Sequence, residues 1–181
     1  DSQPVNATKA ISITIDKGDQ TINFGTLNAK TYGDADFTVS ASANSGLPVT
    51  FSGTTPSVCT VLADTVHIVG FGSCSITASQ PGNTNYNAAT NVIRSFTVNK
   101  SGLTVTADPK SKTVGQADPA LTYKITSGAL AGNDTLTGAL TRTAGEGTGA
   151  YTILQGTLAA SANYSLTYVP STLTILSTVT G

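Results

Sequence analysis

The residues of this chain that could do chemistry are few and scattered. Two cysteines, Cys59 and Cys74, stand fifteen positions apart, with the single histidine, His67, between them and the single glutamate, Glu146, far downstream. Two thiols without a second cysteine pair or a neighbouring histidine cluster cannot fill the four-ligand shell of zinc. Disulfide bonding is the chemistry they suit. Both lie in alternating runs, with one more run at 65–69 between them in sequence. Three such strands side by side would hold the cysteines about 10 Å apart, too far to bridge. A fold that sends the third strand to a second sheet would bring them together. In a small exported domain the bridge is the expected state, and a loop of this length adds about 3 kcal/mol.

His67 alternates with Val66 and Ile68, which makes it an outward-facing strand residue. A nucleophilic triad needs a nucleophile on a sharp turn and an orienting partner, and the chain has no G-x-S-x-G element. No hydrolase, no catalytic residue and no cofactor are expected. Asp34 and Asp36 in one turn, and Asp16 and Asp19 at an early junction, are the calcium candidates, but calcium takes six to eight converging oxygens and no D-x-D-x-D-G loop is present. Turn stabilisation is the expected role of Asp34 and Asp36, because Asp and Gly favour turns for backbone reasons. Glu146, between Gly145 and Gly147, reads as an exposed loop residue, badly placed to serve as the buried acid of a lysine crosslink. The tyrosines Tyr32, Tyr86, Tyr123, Tyr151, Tyr164 and Tyr168 are the ligand-binding candidates, since an aromatic face beside Asn and Asp stacks on sugar rings. Tyr32, Tyr86 and Tyr164 lead that set. Tyr86 and Tyr164 each follow an Asn at matched positions, which favours a structural tyrosine anchoring a loop.

The elements that must position these residues follow from composition. Ser and Thr supply 50 of 181 residues, while Asp, Glu, Lys and Arg supply 19. Dense β-branched residues, scattered Gly and few helix formers predict an all-β protein. Residues 1–99 carry four basic against six acidic side chains and residues 100–181 five against four, so neither half suits nucleic acid or an anionic membrane. No apolar run is long enough to span a bilayer.

Self-comparison shows a repeat. Lys30-Thr31-Tyr32-Gly33-Asp34-Ala35-Asp36 returns as Lys112-Thr113-Val114-Gly115-Gln116-Ala117-Asp118, Asn85-Tyr86 as Asn163-Tyr164, and Phe96-Thr97-Val98 as Leu173-Thr174-Ile175. Two tandem modules of about 80 residues are implied. Period-2 runs at 49–52, 58–61, 65–69, 74–78 and 93–98, then at 103–107, 121–125, 151–154, 164–168 and 172–176, predict short strands of small β-sandwich or β-grasp-like modules. The lapse at 128–134 leaves room for at most one helical turn. Ser101-Gly102 is read as the linker. The earlier run Ile13-Thr14-Ile15-Asp16-Lys17, followed by Gly18-Asp19-Gln20, has the same form, so 1–17 is read as a leading segment whose strand closed a preceding module. The chain is read as a piece of a longer array, with modules at 18–100 and 101–181.

Residues 18–99, through Gln20-Thr21-Ile22-Asn23-Phe24, Lys30-Thr31-Tyr32-Gly33-Asp34, Ser45-Gly46-Leu47-Pro48-Val49 and Asn85-Tyr86-Asn87-Ala88-Ala89, resemble a bacterial immunoglobulin-like repeat. Residues 101–176, through Leu103-Thr104-Val105-Thr106-Ala107, Lys112-Thr113-Val114-Gly115, Asp118-Pro119-Ala120-Leu121-Thr122-Tyr123, Gly132-Asn133-Asp134, Gly138-Ala139-Leu140, Gly156-Thr157-Leu158 and Asn163-Tyr164, resemble an MBG (mostly β-grasp type) domain. Val114 and Gln116 depart from the Tyr and Asp of the first copy. The resemblance implies tandem modules of bacterial surface or secreted proteins, often adhesins, and carries over no catalytic residue. The expected role is a stalk or adhesion-supporting segment, extracellular and monomeric, with neighbouring modules of the same chain as partners. The alternative is a module that binds a glycan or a host or matrix protein through its loops at 25–36, 83–90 and 143–150 and its tyrosines.

Overall fold

The computed structural model describes residues 10–178. Among them every regular element is a strand. In the N-terminal half these are β1 (Ile22–Phe24), β2 (Lys30–Thr31), β3 (Phe37–Thr38), β4 (Ala41–Ala43), β5 (Thr50–Gly53), β6 (Cys59–Leu62), β7 (Thr65–Ile68), β8 (Gly72–Ser79) and β9 (Val92–Asn99). The C-terminal half holds β10 (Ser101–Ala107), β11 (Lys110–Thr113), β12 (Tyr123–Ser127), β13 (Thr141–Arg142), β14 (Gly149–Leu154), β15 (Tyr164–Val169) and β16 (Ser171–Leu176).

Alternation decides which faces go inside. In β8, Cys74, Ile76 and Ala78 are fully buried while Ser73, Ser75, Thr77 and Ser79 are not. Phe96 and Val98 of β9, Leu103, Val105 and Ala107 of β10, and Leu173 and Ile175 of β16 repeat the pattern. Outward Thr and Ser tolerate the pleat because a β-branched or short polar side chain fits a half-exposed strand.

The N-terminal half stacks a four-stranded sheet, β2-β9-β8-β5, against a three-stranded one, β3-β7-β6, with the pair β1-β4 beside them. Its core gathers Phe24, Val66, Ile76, Phe96 and Val98 with both cysteines. The C-terminal half has a three-stranded sheet, β12-β10-β15, and a four-stranded one, β11-β16-β14-β13, around Val105, Leu140, Ile153, Leu158 and Leu173. Each described sheet takes its strands from one half.

The sequence repeat is a repeat of backbone. β2 runs parallel to β9 with Lys30 opposite Val98, and β11 runs parallel to β16 with Lys112 opposite Ile175. Beyond each strand the chain turns alike. Tyr32 N–H donates to Asn99 O and Val114 N–H to Leu176 O, both at 2.9 Å; Asp34 N–H donates to Thr31 O and Gln116 N–H to Thr113 O, both at 3.0 Å. Gly33 (φ 92°) and Gly115 (φ 85°) occupy the left-handed region these turns require. The entries also match, since Gly18 bridges Tyr86 in parallel as Ser101 pairs with Tyr164.

One expectation is corrected. Ser101 and Gly102 are not a linker: they open β10, paired with Tyr164 and Ser165, and only Lys100 separates β9 from β10. Residues 128–134 hold a tight turn, with Asp134 N–H on Ala131 O at 3.0 Å, within the expected limit of one helical turn. Residues 13–17 pair with no strand among the described residues.

Candidate functional site

The two halves meet at a junction built from both copies of the repeat. β15 begins at Tyr164, directly beside the Ser101 that opens β10, and Ser101 N–H donates to Asn163 O at 2.9 Å. The Tyr164 ring is buried, and its hydroxyl donates to Asp134 Oδ2 at 2.7 Å while accepting the Ala131 N–H at 2.7 Å. From the N-terminal half, Tyr32 at the β2 turn meets the Tyr164 ring edge-on, centroids 5.5 Å apart, and donates its hydroxyl to the same Asp134 oxygen at 3.0 Å. One carboxylate oxygen thus accepts from two phenols that stand more than a hundred residues apart in sequence. Ionised carboxylates have the lone pairs to do so, and such bonds are stronger than neutral ones. Burial, reinforced by Asp134, raises the pKa of Tyr32, and burial also raises that of Tyr164, so both phenols remain protonated donors.

Further contacts close the seam. Phe71 N–H donates to Asn163 Oδ1 at 3.1 Å, and the Lys100 ammonium lies 4.5 Å from the Phe71 ring centroid. A Cβ built on Gly33 would stand 3.2 Å from the Ala131 side chain, whereas one built on Gly115 would meet nothing. An open cleft of about 340 Å³ remains beside the clasp, lined by Tyr32, Asp34, His67, Asn133 and Asp134.

The other sequence candidates lie as follows. Cys59 and Cys74 are bonded, Cα atoms 5.7 Å apart, and join β6 of one sheet to β8 of the other. This is the two-sheet arrangement that permits a bridge. Asp34 accepts the Thr31 N–H at 2.9 Å, and Asp36 pairs with His67 Nδ1 at 2.6 Å. His67 and Asp36 are both more than half exposed. Among the described residues no three His, Cys, Asp or Glu side chains converge as a metal site would need. Tyr86 packs against Gly18, with which it forms a parallel bridge.

The sequence reading missed a second cluster. Lys112, its side chain 4% exposed, pairs with Asp118 at 2.7 Å and Glu146 at 2.5 Å; Arg142 forks onto Asp118 at 2.5 and 3.1 Å and also pairs with Glu146. Glu146 is therefore a tethered residue, although its loop is exposed. Arg142 first, then Lys112, holds the Asp118 carboxyl at about 2, and Lys112 and Arg142 lower Glu146 as well. The same partners raise Lys112. Lysine, carboxylate and acid are adjacent here, as a self-crosslink requires, but a protonated amine is no nucleophile and a carboxylate held ionised is no electrophile. The arrangement is an ion network. The signal for it lay in Lys112 and Asp118, the repeat positions that match Lys30 and Asp36.

Residues 103–174 match the family model of the MBG domain (YGX type). The match runs from the middle of β10 into β16, so the MBG domain includes the Asp134 turn, Tyr164 and the ion network. The MBG domain is a non-catalytic repeat type found in bacterial surface proteins. A Tyr-Gly-x tripeptide stands in the unmatched half as Tyr32-Gly33-Asp34, while the MBG domain carries Val114-Gly115-Gln116 at the equivalent turn. No curated protein matches the chain. No helix among the described residues is long and apolar enough to cross a membrane.

Proposed function

We propose that this chain is a non-catalytic, extracellular repeat segment of a bacterial surface protein of adhesin type, in which an immunoglobulin-like module at 18–100 and an MBG module at 101–181 form a stiff stalk. The junction carries this reading. A single residue, Lys100, connects β9 to β10, and the shared Asp134 acceptor ties Tyr32 of one module to Tyr164 of the next. A stalk transmits position, so its joints must resist bending, and a connection this short with side chains clasped across it does so. The disulfide suits an oxidising compartment.

Small-angle scattering tests the reading. A single rigid arrangement of the two modules should fit the data, and Asp134→Ala should broaden it into an ensemble. Data that require freely swinging modules in the unaltered chain would sink the stalk. The alternative, recognition of a glycan or a matrix protein, has a place in the cleft beside Tyr32, where an aromatic ring adjoins Asp34, Asn133 and Asp134. Saturable binding on a glycan and matrix-protein panel, lost on His67→Ala, would favour it.

A further inference from the structure

Residues 11–17 carry three large apolar side chains at alternate positions, Ile11, Ile13 and Ile15, exposed at 82%, 80% and 89%. Ser12 and Thr14 stand between them. An alternating isoleucine strip is the inward face of a strand, and here it faces water. The counterparts of Ile13 and Ile15 elsewhere in the chain are buried, while Ile11 falls on exposed Arg94. Shifting the numbering by 83 lays Ile13 on Phe96, Thr14 on Thr97, Ile15 on Val98, Lys17 on Lys100 and Gly18 on Ser101. Phe96 and Val98 are 5% and 1% exposed, and Leu173 and Ile175, at the same places in β16, are equally enclosed.

The strand environment is also duplicated. β9 lies between antiparallel β8 and parallel β2, and β16 between antiparallel β14 and parallel β11. Directly after the isoleucine strip, Gly18 N–H donates to Asn85 O at 2.9 Å and Gly18 bridges Tyr86, as Ser101 does with Asn163 and Tyr164 directly after β9. The entry into the N-terminal half thus repeats the backbone of the junction between the halves.

We propose that residues 11–17 are a donor strand that completes the open sheet of a β module of this chain's own kind, seated against the Gly18 and Tyr86 entry. The inference rests on the stalk reading and adds the partner and its chemistry: a module lacking its last strand, with an antiparallel strand on one side of the gap and, on the other, a short parallel strand ending in a glycine turn. Ile13 and Ile15 fill the core positions of Phe96 and Val98. The first backbone N–H beyond the parallel strand bonds Asp16 O, as Tyr32 N–H bonds Asn99 O. A tyrosine at that turn meets Tyr86 as Tyr32 meets Tyr164.

The test joins a second copy of residues 18–91 ahead of residue 9 of the chain, so that 9–17 takes the nine positions of 92–100. A companion chain carries the copy as 18–100, with its own closing strand. Hydrogen exchange is read at amides 11–17. Protection rising from that of open chain to that of β9, abolished by Ile13→Lys while 18–99 stays protected, is the expected result. A companion copy that folds beside an 18–91 copy that does not, with 11–17 still exchanging freely, overturns the donor strand and leaves the stalk standing. Failure of both copies overturns both, because the modules then do not fold in tandem.

Discussion

The turn after β2 and the turn after β11 are one backbone used twice, and their side chains point to different work. Both follow an edge strand paired in parallel with the closing strand of its half, both close with the same hydrogen bonds, and both need a glycine at positive φ. In the N-terminal half the turn reaches outward: Tyr32 joins Asp134 across the junction, Lys30 sits over the Phe37 ring, and Asp36 pairs with exposed His67. In the MBG domain the turn is drawn inward. Val114 has no hydroxyl to offer, Lys112 is buried, and Asp118 is gripped by Lys112 and Arg142. A conserved backbone leaves its side chains free to dock a neighbour or to brace their own module. The halves are fastened differently as well, one by a disulfide across its sheets and the other by ions at its turn.

The sharpest way to break this comparison is to remove the covalent fastening. Replacing Cys59 and Cys74 by Ala should lower the stability of the N-terminal half by about 3 kcal/mol, the chain-entropy value for a loop of this length, and leave the MBG domain unchanged. Separate unfolding transitions followed by calorimetry decide it, and equal shifts in both would show that the halves fold as one unit.

A smaller effect should come from the clasp. Asp134→Ala strands a buried tyrosine hydroxyl and a second one beside it, about 1–3 kcal/mol, and Tyr32→Phe removes a single bond, about 1 kcal/mol. Tyr32→Phe should weaken only the coupling between the halves, seen as unfolding transitions that move apart, whereas Val114→Tyr at the equivalent turn should leave the junction unaltered. A Tyr32→Phe chain with unchanged coupling would mean that the turns do not differ in the way described.

The smallest effect is electrostatic and belongs to the MBG domain. The Asp118 carboxyl titrates near 3.8 when free and about 2 when folded. Its folded value is the lower one, so its contribution is present above 3.8 and fades as pH falls toward 2. Glu146 acts in the same direction. The melting temperature of the MBG domain should drop through that window, less so at high salt, and Asp118→Asn should flatten the drop. An unaltered profile in the variant would remove the ion network from the account of stability.

Much of the fold was legible because alternation is a local property. Runs such as Cys74-Ser75-Ile76-Thr77-Ala78 and Leu103-Thr104-Val105-Thr106-Ala107 place every second side chain inside, and the structure buries those residues. β2, β3 and β13, two residues each, and β11, with its lysines, were not visible that way. Too few residues alternate in them for a period to show. At the junction, the recurrence of Asn-Tyr pointed to a structural role for Tyr164, but nothing in the sequence linked it to Tyr32 or to Asp134. Glu146 is the exposed loop residue the sequence indicated, but its i,i+4 pairing with Arg142 across a strand end has no signature of its own.

The sequence by itself determined the strand class, the repeat and its period, because these rest on side-chain alternation and on turn residues that act within a few positions. The tertiary structure alone decided which sheet each cysteine joined, which tyrosines shared a carboxylate, and whether an acidic turn residue met His67 or an arginine fork. Those outcomes depend on where two distant backbones come to lie, and a hydrogen bond or ion pair forms only within about 3 to 4 Å, a distance that no local pattern specifies.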